Sequence, residues 1–205
     1  MSKILKVLGI IFLFIIILFV ILLLSIFIKS KTWESNFYST MNSEYMITKA
    51  MTFEEALNEK IAEYVLSQEY IDNISFSPIE VGQIVKGSLL EITEDSGVDI
   101  SNVYIEPTDG LWEVCALARL NKSERLHVWV CADMTKDNIQ TAQIYLKKFL
   151  VQGINIGKIY PQLLININSG IAEALVTVNE NNFAGRVFEN IELLKDQIVI
   201  KGSLY

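Results

Sequence analysis

Cys115 and Cys131 are the residues of this chain that, by type and position, could form a covalent bond or bind a metal. Both lie in segments where apolar and polar residues alternate, which predicts two neighbouring strands. The sequence leaves two states open for them: a disulfide, or a pair of free, buried thiols. Their spacing and the lack of other ligands exclude a Cys-x-x-Cys redox motif and a zinc site, so we expect no metal.

The order of apolar residues predicts the register of these two strands. Antiparallel pairing sets the apolar residues of both strands on one face, and a slip by one residue would turn them outward. The apolar pairs are Trp112–Met134, Val114–Ala132, Ala116–Val130, Ala118–Val128 and Leu120–Leu126. The opposite face then pairs Cys115 with Cys131 and Glu113 with Asp133. The two carboxylates count against this register unless they lie at a solvated edge, because like charges directly opposite destabilise a sheet.

No arrangement of residues predicts a catalytic site. The single histidine, His127, falls within a strand, where the same register sets it opposite Arg119. The acidic pair Glu54-Glu55 lies in the first turn of a predicted helix, where carboxylates stabilise the helix dipole. A second pair, Glu94-Asp95, falls in a loop, and no nucleophile elbow, phosphate-binding loop or calcium loop occurs. We therefore expect no enzyme, no catalytic residues and no cofactor.

The strongest single feature outside these groups is an uncharged, apolar run from Val7 to Ile28. As a helix it is about 33 Å long, enough to cross a hydrocarbon core of about 30 Å. The run is too long for a secretory signal peptide and has no small-residue cleavage site at its end. The sequence predicts an uncleaved signal anchor over residues 7–28, after a cytoplasmic start at residues 1–6.

The charges that flank this run predict its orientation. Lys3 and Lys6 precede it without any acidic residue, whereas Lys29 and Lys31 follow it in the company of Glu34. The positive-inside rule then favours a cytoplasmic N-terminus and a C-terminal domain outside the cell membrane. We expect a single-pass membrane protein with this topology.

The charge of the remaining chain excludes some partners. Residues 1–28 hold two lysines and no acid, so 15 basic and 24 acidic residues remain, a net charge of −9. An acidic domain of this kind lacks the positively charged surface that binds nucleic acid or anionic lipid headgroups. We expect no nucleic-acid partner.

The pattern beyond the anchor predicts a linker over residues 29–50 and one α+β domain over residues 51–205. Capping boxes at Thr52 and Ser77 and a proline at Pro161 mark three helix starts. The predicted strands are Val98–Glu106, Leu111–Leu120, Leu126–Met134, Ile139–Ile156, Arg186–Leu193 and Gln197–Leu204, with turns at Pro107–Gly110 and Asn121–Glu124. Short connections make the sheet antiparallel, so the expected fold is a set of helices packed on one long, curved antiparallel sheet.

This layout resembles the YpmS-like family of single-pass bacterial membrane proteins of unknown function. The stretches that carry the resemblance are 53–58, 76–78, 152–158 leading into 161–164, 188–191 and 201–202. The resemblance implies an anchored domain outside the membrane and a loose similarity to extracytoplasmic lipid-binding proteins. The family defines no functional residues, so none are transferred to this chain.

Two functions remain open after these observations. The apolar content of the chain and its long predicted strand favour a tethered module that binds a lipid or another apolar ligand, through residues that the sequence does not identify. The alternative is a protein-interaction or scaffold module of a cell-envelope assembly, with an exposed apolar patch or sheet edge. A hollow interior would favour the first function, and a filled core with an apolar patch would favour the second.

Overall fold

The structure, a computed structural model, describes residues 2–67, 73–120, 126–136, 143–180 and 186–204. The chain divides into two units, Met1–Met41 and Asn42–Tyr205, which we describe separately. The class is α+β, as the sequence predicts: an N-terminal apolar helix, further helices, a six-stranded antiparallel sheet and a smaller sheet.

The first unit is one helix, α1, from Ser2 to Thr40. Its segment Leu13–Thr40 is long and apolar enough to cross a membrane. The expected linker over residues 29–50 is therefore helical in its first part. No glycine or proline interrupts the chain there, the Thr32 hydroxyl donates to the Ile28 carbonyl at 2.9 Å, and Lys31 pairs with Glu34 at 2.7 Å.

The second unit begins at Asn42 rather than at residue 51. A 3-10 turn at Ser43–Tyr45 leads into strand β1, Met46–Ile47, which pairs with a long strand of the main sheet. The Ile47 side chain is buried in the core of the unit. The second part of the expected linker thus belongs to the folded domain, because the apolar residues Met46 and Ile47 pair with a strand of the main sheet.

The main sheet has the order β1-β3-β4-β5-β6-β7 and is antiparallel throughout. Its other strands are β3 (Val98–Thr108), β4 (Leu111–Leu120), β5 (His127–Thr135), β6 (Tyr145–Val151) and β7 (Ile154–Asn155). The β3–β4 connection is the predicted turn, now confined to Asp109-Gly110, where Gly110 adopts a φ of 74°. The predicted turn at Asn121–Glu124 lies outside the described residues.

The predicted register of β4 and β5 is confirmed. Trp112 lies opposite Met134, and the apolar pairs continue along one face to Ala118 and Val128, while Leu120 donates its N–H to the Leu126 carbonyl. This face carries the core of the unit. The fully buried residues in it include Val103, Ile105 and Trp112, and Val81, Val85 and Leu89 of a helix pack against them.

The long strand predicted over Ile139–Ile156 is wrong in its second half. Residues 137–142 lie outside the described residues, and β6 ends at Val151. Gln152 and Gly153 both take positive φ, 49° and 76°, and turn the chain back into β7, which pairs with β6. Positive φ at both central positions is the geometry of a type I′ hairpin turn, for which glycine is well suited.

A second sheet of three strands, in the order β2-β9-β8, was not predicted. The terminal hairpin, β8 (Arg186–Leu193) and β9 (Ile198–Leu204), forms as the sequence indicates, but β9 also pairs with the short strand β2 (Asn73–Phe76). The hairpin packs on the apolar face of the main sheet. Hydrogen bonds attach it there, and they include Trp112 Nε1 to the Leu194 carbonyl at 2.7 Å and the Gly110 N–H to the Leu193 carbonyl at 2.8 Å.

The helices begin where the sequence predicts. Helix α2, Phe53–Ser67, starts with the Thr52 and Glu55 capping box, and α3, Pro78–Thr93, starts with the box of Ser77 and Glu80. A single turn, α4 (Ile156–Ile159), precedes α5 (Pro161–Glu180). Helix α5 packs along β6.

Candidate functional site

The two cysteines occupy the centre of the main sheet, on the face opposite the apolar core. Cys115 of β4 and Cys131 of β5 are directly paired with a Cα–Cα separation of 4.0 Å, and the structure joins their sulfurs in a disulfide. Both side chains are fully buried. The same row continues across the sheet to Tyr104 on β3 and Leu150 on β6, both buried, so the bridge has apolar neighbours on two sides.

The next row of the same face carries charges. Glu106 of β3 lies opposite Glu113 of β4, Glu113 lies opposite Asp133 of β5, and Asp133 lies opposite Lys148 of β6. Lys148 Nζ is 3.7 Å from Asp133 Oδ2. The Asp133 side chain is only 16% exposed, so this is not the frayed, solvated edge that the sequence argument required for two facing carboxylates.

Burial dominates the electrostatics of the central carboxyl. The pKa of Glu113 is raised above its ordinary value, first by burial and then by the negative charge of Asp133, and Glu106 acts in the same direction. Lys148 acts against this rise in the pKa. The Tyr104 hydroxyl accepts the Asn42 N–H at 3.4 Å and faces Glu106 Oε2 at 3.5 Å, and burial raises the pKa of this phenol.

Glu113 also lies beside the disulfide. A carboxylate oxygen of Glu113 and the sulfurs of Cys115 and Cys131 all fall within 4.8 Å of one another. Alternation explains this, because positions 113 and 115 of one strand point to the same face. In the sequence, Glu113 stands out only as a charge opposite Asp133 and not as a further ligand near the cysteines.

An open cleft of about 840 Å³ lies elsewhere in this unit, where the start of α2, the second half of α3 and the start of β3 meet. Its lining residues are Thr52, Gly87, Leu90, Glu91, Thr93, Glu94, Gly97, Val98 and Asp99. The leucine, the valine and the two glycines form the apolar part of the wall. The carboxylates of Glu91, Glu94 and Asp99 add negative charge. Of these residues, the sequence draws attention to Thr52 as a helix cap and to Glu94 as a loop acid, and gives no sign that they share a cleft.

A buried lysine, next in sequence to the cleft residue Gly87, joins two other segments of this unit. The Lys86 side chain of α3 is buried, and its Nζ donates to the carbonyl oxygens of Thr48 and Ser101, both at 2.6 Å. Ser101 is the extra residue where the β3–β4 register shifts between Ile100 and Asn102. Burial lowers the pKa of Lys86, and the charge of Asp99 partly opposes this shift.

The remaining candidate residues lie apart from both sites. His127 begins β5 opposite Arg119, as the register predicted, several residues from the carboxylate row. Glu55 accepts the Thr52 N–H in the α2 capping box, and Asp95 is exposed in the turn after α3. The structure therefore brings none of these three residues to the disulfide or into the cleft wall.

No protein-family model, curated protein or solved structure matches this chain significantly. The resemblance to the YpmS-like family stays a prediction from the sequence.

Proposed function

We propose that this chain is a single-pass membrane protein whose second unit lies outside the cytoplasm and binds an apolar ligand. The observation that carries the binding proposal is the open cleft of about 840 Å³ at α2, α3 and β3. Small-molecule sites in proteins are typically concave, about 300–1,000 Å³ in volume, and largely apolar with a few polar groups. The cleft has the size and the mixed lining of such a site.

The location outside the cytoplasm is supported by two independent features. Helix α1 is long and apolar enough to span a membrane, and the lysines before its apolar run have no acidic companion. The disulfide of Cys115 and Cys131 suits an oxidising compartment, since cytosolic thiols are kept reduced. Both features favour a cytoplasmic N-terminus and an exported domain.

The lining of the cleft restricts the ligand. Leu90 and Val98 offer apolar contact, while Glu91, Glu94 and Asp99 place three carboxylates at the wall. Negative charge in a cleft repels anions, so an anionic headgroup would bind poorly. The ligand class that fits is a lipid or other apolar molecule with a neutral or cationic polar end.

Native mass spectrometry of the full chain tests this proposal. The protein is purified in mild detergent from a bacterial host, and the detergent is removed in the gas phase. We expect a reproducible added mass that organic extraction releases as a neutral or cationic lipid. A clean mass without adduct, even after such a lipid is offered, would contradict ligand binding.

Two tryptophan variants on adjacent residues of α3 locate the bound ligand. Glu91 lines the cleft, whereas Ile92 is 77% exposed and is not part of the lining. Glu91→Trp should place a bulky ring in the cleft and strongly reduce the added mass, while Ile92→Trp should retain it. Equal retention of the ligand by both variants would place the ligand somewhere else.

The topology is tested with fusions after Tyr205. Alkaline phosphatase fused at this end should be active, because that enzyme needs export to form its disulfides. A fluorescent-protein fusion that folds and glows while the phosphatase fusion stays inactive would place the second unit in the cytoplasm.

The alternative, a protein-interaction or scaffold module of the cell envelope, is favoured by one observation. At the junction of α4 and α5 the side chains of Ile159, Tyr160 and Ile165 are exposed by 70%, 57% and 55%. Large apolar side chains that are exposed close together along the chain are typical of protein contacts. A photo-crosslinking residue at Tyr160 should then capture a partner in cells, while the same residue at the exposed Lys147 of β6 should not.

A further inference from the structure

Glu113, Cys115 and Cys131 are of residue types that bind metal ions, and they lie close together. Glu113 and Cys115 project from the same face of β4, and Cys131 projects beside them from β5. Their ligand atoms lie within 4.8 Å of one another. In a tetrahedral zinc site, bonds of about 2.0–2.3 Å place neighbouring ligand atoms about 3.3–3.8 Å apart. A small approach of the Glu113 carboxylate, and separation of the two sulfurs, would meet that geometry.

The donor set selects the kind of ion. Two thiolates and one carboxylate favour a borderline-soft divalent cation such as Zn²⁺ over Ca²⁺ or Mg²⁺, which prefer oxygen ligands. Glu113 is only half-buried, so we expect water to supply the fourth ligand from the Glu113 side. The ion would thus have three protein ligands and one open coordination position.

The neighbouring charges also favour a cation at this place. The row beside the sulfurs holds the carboxylates of Glu106, Glu113 and Asp133, with Lys148 beside Asp133 at its far end. Opposed carboxylates in a partly buried row repel one another. A divalent cation bound to Glu113 would compensate that repulsion in addition to the charge of two thiolates.

We propose that Cys115, Cys131 and Glu113 form a redox-controlled site for Zn²⁺ or a similar cation. While the disulfide is intact, neither sulfur has a thiolate to offer, and the site is closed. A dithiol reductant opens it: the S–S bond receives two electrons and two protons to give two thiols, and the reductant becomes a disulfide. Binding of Zn²⁺ then forms two Zn–S bonds and releases the two thiol protons.

The proposed metal site depends neither on the cleft nor on the side of the membrane where the unit lies. In an oxidising compartment the disulfide state dominates, and a thiol–disulfide reductant is needed to reveal the site. In a reducing compartment the same residues would be ready for the cation. Failure of lipid binding would therefore leave the metal proposal intact, and the reverse also holds.

The test uses the full chain in detergent micelles and Co²⁺ as a spectroscopic probe for the zinc position. One sample stays oxidised, and the other is incubated with excess dithiothreitol until two free thiols per chain are measured, because the buried disulfide reduces slowly, and is then desalted without oxygen. We expect the reduced sample to bind one Co²⁺ with thiolate-to-cobalt absorption bands, which Zn²⁺ abolishes. The oxidised sample, identical in sequence, should show none.

A matched pair of carboxylate variants tests the third ligand. Glu113→Gln should weaken Co²⁺ binding to the reduced chain by about tenfold or more, since it removes a charged ligand. Glu106→Gln removes a carboxylate of the same row, on the neighbouring strand and outside the ligand group, and should change the affinity by much less. A pH indicator should report release of about two protons for each Zn²⁺ bound.

Three results would overturn the proposal. The reduced chain could bind Co²⁺ no more tightly than the Cys115→Ser/Cys131→Ser variant, or the Glu113→Gln and Glu106→Gln variants could bind equally well. Loss of the near-ultraviolet circular dichroism on reduction, without recovery when Zn²⁺ is added, would also overturn it. The proposed ligands come from two paired strands, so the site needs those strands to remain folded.

Discussion

Glu113 of β4 lies directly opposite Asp133 of β5, with the fully buried disulfide in the adjacent row. Two carboxylates thus face each other within a sheet, next to the one bridge of the described chain. Lys148 pairs with Asp133 from the far side, at 3.7 Å, and leaves Glu113 between Asp133 and Glu106. Burial raises the pKa of the Glu113 carboxyl, and the negative charges of Asp133 and Glu106 raise it further.

This relationship predicts a pH dependence of stability. In the unfolded chain the Glu113 carboxyl ionises near its ordinary pKa of 4.5, and in the folded chain it ionises at a higher pH. Between the two pKa values the folded state holds more protons, so the free energy of unfolding falls as pH rises through this window. The destabilisation from Glu113 is complete above the folded pKa and absent below the unfolded one.

Glu113→Gln should therefore stabilise the oxidised protein at neutral pH. We expect a gain of roughly 0.5 kcal/mol near pH 7, because the variant removes a partly buried charge and its repulsion by Asp133, and almost none near pH 4. Thermal or urea unfolding at both pH values measures it. Glu59→Gln, on the exposed side of α2, serves as the control and should be neutral at both. A gain that is equal at the two pH values would refute the electrostatic explanation.

Lys86 supports a second prediction, because its ammonium group satisfies two buried carbonyls. Lys86→Met keeps the aliphatic length but removes both hydrogen bonds, to Thr48 and to Ser101. We expect a loss of about 2–3 kcal/mol in the free energy of unfolding, since charged hydrogen bonds are strong and orphaned acceptors are costly. Lys158→Met, at an exposed position of α4, should cost little. Equal stability of the two variants would mean that the carbonyls find other donors.

Local sequence signals predicted much of the secondary structure. The capping boxes at Thr52 and Ser77 and the proline at Pro161 mark helix starts through contacts within one turn, so a single segment contains the whole signal. The β4–β5 register was also predictable. One face of each strand is apolar, and only one alignment near Cys115 and Cys131 keeps both apolar faces together.

Features that depend on distant contacts could not be predicted in the same way. Strand β2 is four residues long, too short to show alternation, and it forms by pairing with β9 near the end of the chain. The Gln152-Gly153 turn lies inside an apolar stretch without the usual asparagine or aspartate. The cleft arises where three separate elements meet, so none of them alone carries a sign of it.

Asn168 leads to a third prediction, on the protection of a sheet edge. Its side-chain oxygen accepts the Leu146 N–H at 2.7 Å, and its side-chain nitrogen donates to the Leu146 carbonyl at 2.9 Å. The amide thus takes the place of a neighbouring strand at the start of β6. Asn168→Ala should cost about 1–3 kcal/mol, because both backbone groups lose a partner, and should increase aggregation on mild heating.

The control for this prediction lies two residues away on the same helix. Asn166 is exposed and accepts a hydrogen bond from Gln162 within α5 at 2.9 Å. Asn166→Ala should change stability and light scattering little. If both alanine variants aggregate alike, the aggregation would result from a weakened α5 helix and not from an uncovered strand edge.

The disulfide gives the last prediction. Cys115 and Cys131 are separated by 16 residues, and a bridge that closes a loop of this size stabilises by about 3 kcal/mol, chiefly by restricting the unfolded chain. Cys115→Ser/Cys131→Ser should lose about that amount under oxidising conditions. In the presence of a reductant the wild type and this variant should unfold at similar denaturant concentrations, since neither then holds a bridge.

Mass spectrometry of the unfolded chain provides an independent readout of the same bond. The wild type purified without reductant should be lighter by two hydrogen atoms than after reduction, whereas the double serine variant should show no change. Both sulfurs are fully buried, so reduction under native conditions should be slow and should accelerate with denaturant. Rapid reduction of the folded chain would contradict this, because it would require that the centre of the main sheet opens readily to solvent.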